Sequence, residues 1–363
     1  MTVIEQHPAK PVGGAVKPPT GQPVLPMGWL DALRGVAALL VAVHHFGLIH
    51  LLPYGGTINR KFDLGISAVM LFFLVSGYIV PASLERRGDV RGFWIGRIYP
   101  LLIVVITVAL LVLPRAHSAV PDVVLDHPLR SSLANVLLLH EMLNGPSALG
   151  AMWTLCAGPP RLGSLVLGGL GAVLLFLNAR STFFESMTIL ATMFAGTAVH
   201  RIERGQLDRL QGLLCCGFVL VSGVLAGVLY DHGDAFCRTW TSGWEGFSLP
   251  YAAAWATFGL GMLLRDRRFP RVPTWLGAIS YSVYVVHIPV LHAVDRLIPQ
   301  DAFPHHGPGR FVPALIFLAA VLLLSDLTHR LVELLGQRLG RRLLKTLDTR
   351  SAPGPTPRPR SGG

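Results

Sequence analysis

Residues 30–46 read LDALRGVAALLVAVHHF: an acid and an arginine, an apolar run, then two histidines. A neutral imidazole takes a proton from a hydroxyl near neutral pH. A guanidinium keeps its charge and grips phosphate or carboxylate through its fork of N–H donors. Together they suit acyl transfer from a phosphate-bearing carrier to an alcohol. Direct transfer, with a histidine as general base, is the simplest scheme.

The spacing says how a helix would present these groups. Arg34 and His45 are eleven residues apart. At about 100° per residue that is close to three full turns, so both fall on one face, about 16 Å apart along the axis. They cannot touch, but they can act at two points along one elongated ligand. Asp31 lies one turn before Arg34 and can pair with it. His44 is the neighbour of His45. Read blandly, Arg34 snorkels to headgroups and His45 is a satisfied core histidine. Four ionisable side chains in one apolar run favour a functional site, because such groups are costly in a membrane. No GxSxG, SxxK or HExxH pattern marks a protein nucleophile or a zinc site, and His305–His306 stands in a Pro/Gly loop. No metal is expected.

The elements that must carry these residues are membrane helices. Of 363 residues, 52% are hydrophobic and only 14% charged, and the mean hydropathy is +0.53. Soluble domains carry about 25% charged residues. The net charge of +11 comes from short basic clusters between apolar runs, which reads as cytoplasmic loops rather than nucleic-acid binding. Apolar runs of spanning length stand at about 28–49, 63–82, 98–114, 162–178, 184–199, 210–229, 247–264, 273–296 and 311–330. The basic stretches at 85–97, 200–209, 265–271 and 337–345 all belong on one side. The alternation closes only if the chain crosses once more near 132–156, a run broken by Asn, Gly and Pro that must face a cavity. The expected fold is an all-α integral membrane protein, a polytopic bundle of about ten transmembrane helices. An external loop with the opposite parity is the other reading. Residues 1–27 and 346–363 read as disordered cytoplasmic ends around a domain spanning 28–345. Cys215 and Cys216, inside an apolar run, read as packing.

With these residues in view, the chain resembles the acyltransferase-3 family of integral membrane O-acyltransferases. The first-helix signature of that family, an Arg and a His with ten residues between, matches Arg34 and His45, with His44 as an extra histidine. MLFFLVSGYIV (70–80), which contains Ser76, is similar to the second-helix FFxxSG segment. FWIGRIYPLL (93–102) resembles the basic start of the third helix, with Arg97 as its main arginine. WLGAISYSVYVVHIPVL (275–291) matches a late LGxxSYxxYxxHxPV segment, with Tyr281 and His287 in place. RLVELLGQRLGRRL (330–343) is similar to a closing V-E-x-P element through Glu333, with Leu335 where Pro is usual.

The resemblance implies transfer of an acetyl or related acyl group from acyl-CoA to a hydroxyl of a carbohydrate or glycosylated metabolite. It implies no bound cofactor, with acyl-CoA as co-substrate in the plasma membrane. His45 is then the general base and Arg34 an active-site charge. Asp31, His44, Ser76, Arg97, Trp153, Tyr281, His287 and Glu333 are candidates for holding donor or acceptor. Polar packing between helices accounts for Ser280, Tyr281, Tyr284 and His287 about as well, an aromatic belt for Trp153, and pairing with Arg330 or Arg338 for Glu333.

One departure stands out. MWTL (152–155) is similar to the family's W-S/T-L, after which an acid stands five positions beyond the Trp. Here that position is Gly158, followed by Pro159 and Pro160. His140 and Glu141 are outside candidates for the missing carboxylate. An impaired homologue and a proton-coupled transporter are the competing readings.

Overall fold

The computed structural model describes residues 28–50, 58–87, 95, 184–229, 244–297 and 308–351. These residues are almost all helical, joined by short loops such as 204–208 and 264–270, with no strand among them. The long elements are α1 Gly28–His50, α2 Leu64–Arg87, α3 Phe184–Glu203, α4 Arg209–Leu229, α5 Glu245–Leu263, α6 Arg271–Leu297, α7 Val312–Thr328 and α8 Leu334–Ser351. A turn of helix, Asn59–Lys61, precedes α2, and a π turn, His329–Glu333, joins α7 to α8. Among the described residues, five stretches are long and apolar enough to cross a membrane: Gly28–Leu48, Leu64–Glu85, Arg209–Leu229, Arg271–Leu297 and Val312–Thr346. α3 and α5, also expected as spans, are less apolar. They bury polar side chains against their neighbours instead, Thr188, Thr192 and Thr197 on α3 and Ser248 on α5. The expected spans at 98–114, 132–156 and 162–178 lie outside the described residues, as do 1–27. Helix α8 continues to Ser351, past the boundary expected at residue 345.

Helix α1 stands between two cores, and its sequence shows why. Trp29, Leu30, Leu33 and Ala37 pack into a cluster with α2, α3, α4 and α5. Ala38, Ala42 and Phe46 pack into a second cluster with α6 and α7. A stripe of alanines lets both neighbours come close. The closest approach is to α6: a Cβ on Gly277 would lie 2.0 Å from the Asp31 carbonyl oxygen, and one on Gly35 would lie 2.6 Å from the Gly277 nitrogen. Only glycine fits at such a crossing.

Contacts along the helices fix their relative directions. Gly28 meets Thr274, Arg34 meets Ser280 and His45 meets His287, so α1 and α6 run parallel. Trp29 packs on Tyr78 while His44 reaches Asp63, so α2 runs back along α1. Met70 meets Thr192, Gly77 lies against Met193, and Glu85 meets His200, so α2 and α3 run parallel.

The basic ends of α2, α3 and α5 are tied together by charge. Glu85 accepts from Gln206 at 3.0 Å and lies 3.2 Å from His200 Nε2. Glu203 holds both the Tyr78 hydroxyl and the Arg265 guanidinium. These contacts bring the 200–209 and 265–271 loops to one end of the molecule, the end from which α1 starts.

Candidate functional site

Helix α1 carries its polar residues at two levels. At the lower level the Arg34 Nη2 donates to the Ser280 hydroxyl on α6 at 3.2 Å. Arg34 also pairs with Asp31 at 3.7 Å, the pairing expected from their spacing. Glu333 lies within electrostatic reach of the same guanidinium. Ser280 is fixed in turn, because its hydroxyl donates to the Gly277 carbonyl at 2.8 Å. The glycine crossing therefore sets where Arg34 finds its partner.

The π turn places Glu333. Its Oε2 accepts from His329 Nδ1 at 2.8 Å and from the Ser282 hydroxyl at 3.3 Å. Arg330, which the sequence offered as the partner of Glu333, pairs instead with Asp326, Nε to Oδ2 at 2.7 Å. The extra residue in the π turn rotates the helix beyond it, so Glu333 comes round toward α6 while Arg330 stays exposed. π turns that interrupt long helices are frequent at functional sites. Tyr281 feels Glu333 electrostatically, whereas Tyr284 turns outward and is exposed.

At the upper level the two adjacent histidines diverge, as neighbours on a helix must. His44 is buried and its Nδ1 lies 3.3 Å from Asp63 Oδ1. Asp63 caps α2: the Ile66 amide donates to its Oδ1 at 3.0 Å, the arrangement of an N-cap acid. His45 is half-buried and turns toward α6, where its ring lies 5.0 Å from that of buried His287. His45 Nδ1 faces the Val41 carbonyl at 2.9 Å. A carbonyl only accepts, so Nδ1 carries the hydrogen and Nε2 keeps the lone pair. His287 Nδ1 faces the Val283 carbonyl at 3.2 Å in the same way. Its Nε2 is buried and has no hydrogen-bond partner among the described residues. The two imidazoles thus pack ring against ring, each with its Nδ1 turned to a carbonyl of its own helix.

The structure brings Asp31, Arg34, Tyr281 and Glu333 together at one level and His45 with His287 at the other. Ser76, on α2 beside the Gly77 crossing, is not joined to either group. Arg97, Trp153, Gly158, His140 and Glu141 lie outside the described residues. Asp63, Ser282 and His329 are additions that the sequence reading lacked. Asp63 had a signal, an acid standing at the start of an apolar run. His329 had one too, standing four residues before Glu333. Among the described residues no group of His, Cys, Asp and Glu side chains is arranged to hold a metal ion.

A family model described as an acyltransferase domain matches residues 27–158 and 155–330. The two matched stretches meet at 155–158, beside the segment that departs from the family pattern. No curated protein and no solved structure matched.

Proposed function

We propose a function from one premise: the chain belongs to the acyltransferase-3 family. It is an integral membrane O-acyltransferase that moves an acetyl or related acyl group from acyl-CoA to a hydroxyl of a carbohydrate or glycoside. The observation that carries this reading is the contact of His45 Nδ1 with the Val41 carbonyl at 2.9 Å. With Nδ1–H held by the Val41 carbonyl, the Nε2 lone pair is available to take the acceptor's proton. The alcohol oxygen then attacks the thioester carbonyl and forms the new ester C–O bond. The C–S bond breaks, and the proton on His45 passes to the departing sulfur, so the products are the ester and the free thiol.

Arg34 supplies a fixed charge at the end of α1 where the basic loops gather. It sits about 16 Å down the axis from His45, a separation suited to a long, flexible carrier arm with phosphate at one end and thioester at the other. His287 packs its ring against that of His45 and so positions the base. Glu333 and Asp31 offset the charge of Arg34, so the pocket holds its donor through directed hydrogen bonds more than through net charge.

The protein sits in the plasma membrane with about ten crossings and both ends cytoplasmic. The parallel run of α2 and α3 supports that count, because an odd number of crossings must join two parallel helices. Three is the number the sequence offers between them.

Gly158 supports a second reading. The family's acid is missing there, and the family match is in two pieces that meet at 155–158. An impaired homologue would keep the fold and the donor pocket without turnover. Purified protein supplied with acetyl-CoA and a panel of glycan and glycoside acceptors separates the two. Acceptor-dependent thiol release supports the enzyme, and donor binding without thiol release supports the impaired homologue.

A further inference from the structure

The last helix is too long for a membrane. The continuous helical stretch Val312–Thr346 has 35 residues, about 52 Å at 1.5 Å per residue, against a hydrocarbon core of about 30 Å. About 20 residues are enough to cross. The remainder, α8, emerges at the end of the chain that carries Arg338, Arg341, Arg342 and Lys345, all exposed.

The same segment keeps an apolar stripe. Leu335, Leu339 and Leu343 recur every fourth residue along α8, and each is exposed. Basic side chains beside an exposed leucine stripe are the composition of a helix lying in a bilayer interface, leucines toward the acyl chains and arginines at the headgroups. The π turn at His329–Glu333 interrupts the regular ladder at the place where a turn toward the membrane surface would fall.

We infer that α8 is a membrane-surface arm that binds anionic lipid headgroups on the cytoplasmic leaflet, through Arg338, Arg341, Arg342 and Lys345. Charge complementarity selects this occupant: all four charges that α8 shows along 334–346 are positive. Each basic side chain near an anionic surface adds attraction that salt weakens. The inference is independent of the acyl-transfer reading.

The test is hydrogen–deuterium exchange of the 334–351 peptide in the full-length protein. The protein is reconstituted in nanodiscs of phosphatidylcholine alone or of phosphatidylcholine with phosphatidylglycerol. A solvated helical arm frays and exchanges quickly, and a docked one is protected. Exchange is expected to be about tenfold slower or more with the anionic lipid. Half-molar salt should reverse that protection, and so should the triple variant R338Q/R341Q/R342Q, in which α1–α7 exchange stays unchanged. Equal exchange in both nanodiscs overturns the proposal. So does protection that ignores lipid charge but rises with the number of copies per disc, which would assign the leucine stripe to a second copy of this chain.

Discussion

Substituting Gly277 by Ala tests how far the site depends on one helix crossing. A Cβ there would stand 2.0 Å from the Asp31 carbonyl oxygen, which is 1.4 Å short of ordinary contact beginning at 3.4 Å. The obstacle is backbone, so no side chain can swing aside. Helices α1 and α6 must separate by about that amount, at a cost of about 1–3 kcal/mol for overpacking. The Arg34–Ser280 bond is 3.2 Å, and adding the separation takes it well past bonding distance. The His45–His287 pair sits on the same two helices and opens with it. A misplacement of about 1 Å in a site of this kind costs about a hundredfold in rate. Gly259→Ala is the control, because a Cβ there meets nothing within 4 Å. The assay is acyl transfer in reconstituted vesicles, with thermal unfolding of both variants alongside. Gly277→Ala should lose about two orders of magnitude in turnover and remain folded, and Gly259→Ala should match the parent protein. Full activity in a well-folded Gly277→Ala protein would refute the claim that this crossing sets the site.

Three further outcomes rest on the same geometry. Asp63→Ala should lower thermal stability by about 1 kcal/mol through the lost cap, whereas Asp63→Asn keeps an acceptor for the Ile66 amide and should unfold close to the parent; melting curves of the pair decide it. Glu333→Gln and His329→Leu should each raise the KM for the acyl donor by about tenfold or more, the scale of a hydrogen bond to a charged group, with a smaller change in kcat; because both act through one carboxylate, the double variant should be no worse than Glu333→Gln, and additive losses would count against the linkage. Gly65→Ala sets a Cβ 2.8 Å from the His44 ring and should displace that imidazole from Asp63, with a smaller loss of transfer than any change at His45.

Some of this site could be read from the chain and some could not. The face shared by Arg34 and His45 follows from helical spacing, and the structure turns both toward α6. The Asp31–Arg34 pair follows from the same periodicity. The identity of the facing residues does not, because Ser280 and His287 lie more than two hundred residues away and reach α1 only through the Gly35–Gly277 crossing. The sequence offered Arg330 or Arg338 as partners for Glu333 on the assumption of a regular helix. In the structure it has His329, four residues earlier on its own helix, and Ser282 on α6, which no spacing along the chain announces. Asp63 reads in sequence as a charge at a membrane boundary; its two tasks, capping α2 and meeting His44, appear only when α1 and α2 lie side by side. The all-helical architecture was legible because apolar length alone announces a spanning helix. α3 and α5 were harder, since their polar side chains are matched by neighbouring helices rather than by lipid.

The central claim rests on His45, and one comparison reaches it directly. Labelled acetyl-CoA is supplied to the purified parent protein and to His45→Ala, with donor binding and label transfer to an acceptor both measured. The account predicts transfer by the parent, loss of transfer by a factor of about a hundred to ten thousand when a general base is removed, and unchanged donor binding, because Arg34 lies at the other level of α1. Transfer that persists undiminished in His45→Ala would contradict it.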